Sequence, residues 1–285
     1  MNYNITKVMG ILNITPDSFS DGGLFNSLDK AVSHTKKLLA DGSDIIDIGA
    51  ESTRNEIKPH ERKYEEITQE QPIKLAGAEL EWHRLEQILP AVYEVIKNAK
   101  KEISLDSKNP ETVARALKYD IDYINDVSGC NDPLMIDLVA KSKAKIIIMH
   151  NLGIPADPKV TMGVDIEIII EIKKWLFDKA NLIKKHGINQ DRIILDPGIS
   201  FGKTAEQSVE IIRNIKEFIS MDYPILIGHS RKSFYNLYTD VPRNMRDIET
   251  YATSSFLASQ GVNYIRVHDV AGNIRTLNVM RGIYG

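Results

Sequence analysis

At 285 residues, with 42% apolar and 26% charged side chains, the chain has room for one large α/β barrel or two small domains, in ordinary globular proportions. A formal net charge of -3 argues against a nucleic-acid or anionic-membrane partner, and a single cysteine, Cys130, excludes an intrachain disulfide and fits a reducing, cytoplasmic compartment. No apolar run approaches membrane-spanning length, and the polar Asn2, Tyr3 and Asn4 before the first strand lead us to expect no signal peptide.

The predicted elements alternate along the chain. A strand at 7–12 breaks at once into a loop holding Asn13, Thr15, Asp17, Ser18, Ser20 and Asp21, with Pro16 and Gly22-Gly23 shaping its backbone. A helix at 28–40 leads to a strand at 44–48, which ends in Glu51-Ser52-Thr53-Arg54. A long polar stretch from 55 to 80 carries His60, Arg62, Lys63, Glu65 and Glu66 before a helix at 81–99. The third strand, 102–105, is followed by Asp106-Ser107, and Asn109-Pro110 has the form of an N-cap and first-turn proline for a helix at 110–117. Strands at 123–127 and 145–149 contain Asn125-Asp126 and end in Met149-His150. A helix at 165–185 exits at His186-Gly187, and a strand at 192–195 precedes Asp196-Pro197-Gly198 and Phe201-Gly202-Lys203. After a helix at 205–220 come a strand at 224–227 with His229-Ser230-Arg231-Lys232, a strand at 264–267 with Arg266, His268 and Asp269, and a closing helix at 274–281. The strands are short, apolar and β-branched, as parallel strands covered on both faces are.

This order predicts a single-domain (β/α)8 barrel over 1–285, with a long loop at about 52–80. An open doubly wound sheet is the alternative. The barrel is favoured because polar residues follow almost every strand rather than only those at a switch point. In a barrel those residues converge on one mouth. Asp106, Asn125, Asp196 and Lys232 suit a flat heterocycle with donor and acceptor edges, since a carboxylate can accept two N–H bonds from an amino-pyrimidine edge. Arg54, Arg266, His268 and Asn13 suit a polyanion such as pyrophosphate, and the Asn13 amide oxygen suits Mg2+. Lys203 reads as a solvated helix-start residue and His150 as a structural histidine. Cys130 reads as an inert thiol, and His34, His60, His83 and His186 as solvated.

The segment from Leu12 to Gly23 resembles, almost residue for residue, the N-terminal signature of the dihydropteroate synthases, and the later motifs extend the likeness along nearly the whole chain. The resemblance implies a TIM barrel that joins a dihydropterin pyrophosphate to p-aminobenzoate, releasing pyrophosphate, in folate synthesis. It implies that Asp106, Asn125, Asp196 and Lys232 hold the pterin, with Met149 packed against it. Asn13, Arg54, Arg266 and His268 would hold magnesium pyrophosphate, and Thr53, Phe201 and Ser233 would shape the p-aminobenzoate site. Asn13, Arg54, Lys232, Arg266 and His268 are the catalytic candidates. Small-molecule substrates, a homodimer and sulfonamide susceptibility follow from the same likeness.

The chain departs from the family pattern in three places. Asn55-Glu56 stands where Pro-Gly usually follows Ser-Thr-Arg, Ser107 where threonine is commoner, and Ile199-Ser200 where a Phe-Gly pair is commoner. Two readings compete: a barrel presenting a methylated folate to a corrinoid partner, which would share the pterin pocket but lack the anion site, and a catalytically silent barrel acting as a partner-stabilising subunit.

Overall fold

A computed structural model describes residues 6–14, 24–51, 77–157, 159–163 and 165–284, without the side chains of 24–27 and 284. Thr53, Arg54, the residues after Ile14 in the first loop and most of the 52–80 loop lie outside the described residues.

The strands are β1 (Lys7–Asn13), β2 (Ile45–Gly49), β3 (Glu102–Asp106), β4 (Tyr123–Asp126), β5 (Lys145–Met149), β6 (Ile193–Asp196), β7 (Leu226–Ile227) and β8 (Tyr264–Val267). All pair in parallel, in the order β6-β5-β4-β3-β2-β1-β8-β7. The ring closes through a single bridge between Leu195 and Ile225, with the Leu195 N–H donating to the Pro224 carbonyl at 2.9 Å. The eight-stranded barrel expected from the sequence is therefore what forms. Between the strands run α1 (Leu24–Ala40), α2 (Ala78–Glu86), α3 (Leu89–Asn98), α4 (Pro110–Ala116), α5 (Pro133–Ala140), α6 (Ile168–Lys185), α7 (Ala205–Arg213), α8 (Ile215–Ile219), α9 (Asp247–Gln260) and α10 (Val270–Tyr284).

Two expected helices are broken, each for a local reason. The 81–99 pattern divides into α2 and α3 because Pro90, in the first turn of α3, cannot donate to the preceding turn. The 205–220 pattern divides at Asn214, whose side-chain amide takes the Glu210 carbonyl at 2.9 Å. The strand expected at 224–227 shortens to Leu226–Ile227, since Pro224 has no N–H for a ladder. Asn109 does precede α4, but its side chain reaches Glu51 and Glu81 at 3.1 and 2.9 Å instead of capping the helix.

Apolar side chains on the outer faces of the strands pack against the helices. A second cluster fills the barrel itself: Met9, Ile45, Tyr123, Ile147, Ile194, Leu226 and Tyr264. Burying each is worth about 1.5–3 kcal/mol. At the base of the barrel Glu102 accepts from Lys7 at 2.6 Å and from the Tyr123 hydroxyl at 3.1 Å, which seals that end. The other end is the mouth. Because strand side chains repeat every two residues, the position above Ile45, Tyr123, Ile147, Ile194 and Tyr264 is taken by Asp47, Asn125, Met149, Asp196 and Arg266. A greasy plug thus forms the floor of a polar pocket.

Candidate active site

Arg266 organises one wall of that pocket. From β8 it reaches past β1, placing Nε 2.5 Å from Asp47 Oδ2 on β2 and an Nη 2.5 Å from Asp106 Oδ2 on β3. Asn125 on β4 adds an N–H to Asp47 Oδ2 at 3.3 Å. Burial works against the Arg266 charge, but the two carboxylates more than offset it, so it stays a guanidinium. Burial pushes the Asp106 carboxyl above its ordinary range, against the opposite pull of Arg266. The sequence assigns Asp106 and Arg266 to separate halves of the site; the structure pairs them directly.

The facing wall is built by β6 and β7. Asp196 ends β6 beside Met149 of β5, and its Oδ1 accepts from the Gly198 N–H at 2.7 Å. Burial raises its carboxyl above the usual range, and Lys232 and the Gly198 N–H pull it back. Lys232 follows β7, donates to the Ile199 carbonyl at 2.5 Å and stands 4.6 Å from the centre of the Phe201 ring. Gly228 lies beside both groups: a methyl there would lie 3.9 Å from Asp196 Oδ2 and 4.0 Å from Lys232 Nζ.

Around the rim, Asn13 is exposed at the end of β1 and Ser233 is exposed at the start of a 3-10 turn, Ser233–Leu237. His268 Nδ1 lies 2.9 Å from Ser230 Oγ, which also accepts the His268 backbone N–H at 3.2 Å. Behind it, the buried His229 bonds Ser254, and Ser254 bonds Asn273. Burial holds His229 neutral by pushing it down to about 4. These bonds tie the ends of β7 and β8 to α9 and α10.

Some residues of the site were not read from the sequence. Asp47 is fully buried, and its position inside the apolar run Ile45–Gly49 was the available signal, since a charge is rarely buried unless paired. Lys203, at a helix start, is expected to be solvated. It is instead 6% exposed, with Nζ 2.9 Å from both His150 Nδ1 and the Phe201 carbonyl. Burial and the adjacent Lys203 push His150 down to about 3, so it is neutral and serves as an acceptor. Burial pushes Lys203 itself down to about 7, with Asp196 pulling up and Lys232 pushing down.

That depression has a sign. Between about pH 7 and the ordinary value of 10.5, the unfolded chain holds a proton that the folded chain does not. Stability is therefore expected to rise with pH across this window, by a few kcal/mol, and to be lowest below it. Denaturant midpoints at pH 7 and 10 should show this rise, and K203M should flatten it. An equal rise in K203M would refute the assignment.

Among the described residues, no three His, Cys, Asp or Glu side chains gather as a metal site, and no helix is long and apolar enough to cross a membrane.

Residues 9–268 match the family described as pterin binding enzymes. A dihydropteroate synthase of Synechocystis is 36% identical over 267 residues, covering 93% of this chain and 86% of that protein. A folate synthesis bifunctional protein of Chlamydia caviae is 35% identical over 276 residues, and this chain, matched over 96% of its length, spans only 58% of that longer protein. The crystal structure of dihydropteroate synthase from Anaplasma phagocytophilum, with bound 6-hydroxymethylpterin-monophosphate, superposes with a TM-score of 0.83 at 37% identity, covering 98% of this chain and 99% of that one.

Proposed function

The chain belongs to the dihydropteroate synthase family of pterin binding enzymes, and on that premise we propose that it transfers the dihydropterin-methyl group of 6-hydroxymethyl-7,8-dihydropterin pyrophosphate to p-aminobenzoate, forming 7,8-dihydropteroate. The observation that carries this reading is the convergence of Asp196 and Lys232 beside Gly228, where a methyl on the glycine would lie within about 4 Å of both. In this reading Asp196 accepts from the amino-pyrimidine edge, Lys232 donates to a ring carbonyl or nitrogen, and Asn125 and Asp106 complete the hydrogen bonding. Met149 packs on the ring.

The methylene C–O bond breaks with its electron pair leaving on pyrophosphate. The resulting cation is delocalised into the pterin, and the carboxylates of Asp47 and Asp106 lie on the wall that would face it. The amine of p-aminobenzoate then forms the C–N bond and gives its proton to solvent. Positioning supplies most of the rate, since an aromatic amine is already a usable nucleophile.

Arg54, Arg266, His268 and Asn13 are assigned to the leaving pyrophosphate. Among the described residues, two of the five Arg266 N–H groups go to carboxylates, and the reading has the others meet phosphate oxygens. The donor chemistry at the rim fits Mg2+: one exposed amide oxygen, on Asn13, suffices for an ion that keeps waters and substrate phosphates as its other ligands. Bound there, Mg2+ would neutralise charge on the leaving group. Thr53, Phe201 and Ser233 are assigned to p-aminobenzoate.

We further take residues 1–285 as one barrel domain acting in the cytoplasm, where the buried Cys130 thiol needs no partner. We take it to act as a homodimer. The exposed stripe Ile248, Ala252 and Phe256 on α9, beside Val279 and Ile283 on α10, supports a second copy as the cover.

Pyrophosphate release from the pterin substrate with Mg2+, with and without p-aminobenzoate, tests the reading. Turnover to dihydropteroate, abolished by EDTA, is expected. Tight pterin binding without turnover would overturn it in favour of a carrier or a silent barrel. Within the same assay, S230A should lose about tenfold in kcat/KM for the pterin substrate with little change in melting temperature, because His268 loses the hydroxyl that orients it. An unchanged kcat/KM would remove Ser230 from the machinery.

A further inference from the structure

A buried lysine whose hydrogen-bond partners are all neutral is a costly way to fill space. Among the described residues Lys203 Nζ has three acceptors: His150 Nδ1 at 2.9 Å, the Phe201 carbonyl at 2.9 Å and, more distantly, the His150 carbonyl at 3.4 Å. None is an anion. A methionine would fill the same volume without the desolvation cost, so the amine's contribution lies in its hydrogen bonds.

Those bonds join side chain to backbone across two loops at the mouth, the one after β5 and the one after β6. The backbone on both sides of the join is already confined. The Gly198 α-carbon sits so close to His150 that a methyl there would lie 1.9 Å from the His150 carbonyl oxygen, and one on Gly202 would lie 2.5 Å from Leu152. Just after Lys203, Thr204 and Gln207 exchange capping hydrogen bonds at the start of α7. Lys203 is thus held at its backbone and at its tip. Between those two points hangs Phe201, whose ring stands over Lys232.

We propose that Lys203 is a positioning residue: by tying the His150 imidazole to the Phe201 carbonyl, it fixes the Phe201 ring and so shapes the half of the pocket that takes the aromatic amine. This rests on the assignment of Phe201 to the p-aminobenzoate site. His150 is the second half of the device, a neutral acceptor whose ring is steadied edge-on against Trp175 at 5.0 Å.

The test is a steady-state comparison of K203M, H150F, the double variant and F201A in the full-length protein. K203M and H150F are each expected to raise KM for p-aminobenzoate about tenfold, with KM for the pterin substrate and kcat within about threefold. The double variant should cost no more than either single change, since both cut one tie. F201A checks the underlying assignment separately. If F201A leaves KM for p-aminobenzoate unchanged, the assignment of Phe201 fails. If F201A raises it and neither K203M nor H150F does, the positioning inference fails. A uniform loss in both KM values, or additive losses in the double variant, also overturns it. Should K203M not fold, H150F removes the same tie from the other side and decides the question.

Discussion

Replacing Arg266 with methionine is expected to lower pyrophosphate release by about 100- to 1000-fold and to destabilise the fold by about 3–5 kcal/mol. Both effects come from one geometry. Arg266 lies 2.5 Å from each of two carboxylates, and one of these, Asp47, has no exposed surface. Methionine would leave Asp47 and Asp106 facing each other in the barrel wall with no cation between them. Folding would then require the pair to share a proton or to bear the repulsion. The variant's deficit should accordingly grow with pH: its folded state would hold a proton that the unfolded carboxylates release, so stability falls as pH rises. Urea unfolding at pH 5 and pH 8 measures this directly. A deficit that is flat with pH would show that the carboxylates are not what Arg266 compensates. R266K should recover part of the stability and little of the activity, because an ammonium cannot span both carboxylates as the fork does.

Asp196→Asn is expected to separate activity from stability. Burial raises the Asp196 carboxyl, so keeping it ionised at neutral pH works against the fold. Asparagine can still accept from the Gly198 N–H and carries no charge. The melting temperature should hold or rise. Pterin turnover should nevertheless fall about 10- to 100-fold, the equivalent of one charge-assisted hydrogen bond to the substrate. Calorimetry beside the turnover assay reads both numbers. A destabilised variant with intact turnover would reverse the assignment of Asp196 from pocket to scaffold.

The sequence made the barrel legible because parallel strands covered on both faces appear as short, uninterrupted apolar runs, and β5 and β8 fall where those runs do. The mouth followed from the same signal: once the strands are placed, the polar residues at their C-terminal ends must share a face. Reach across strands was less visible. Nothing in the spacing of Arg266 and Asp106 says that a guanidinium on β8 crosses β1 to meet β3. Burial by tertiary packing was equally hidden. Lys203 precedes a Thr N-cap, where a lysine is ordinarily solvated, and only the loop after β5 folding over it turns it inward. Asn214 and Pro90 split their helices for local reasons that are plain in retrospect, yet apolar periodicity runs straight through both sites and masks them.

β6 and β7 meet through one bridge, so the eight strands form a ring with one loose link. Asp196 stands on one side of that link, and Gly228 and Lys232 on the other. A molecule gripped by both sides becomes a rung of the sheet. Spreading the strands at that point must first tear it free, so work done against the ring is work done against the bound guest. If the pterin sits as proposed, the fold grips it where the hoop is thinnest, and an occupied barrel would for that reason be a stiffer object than an empty one.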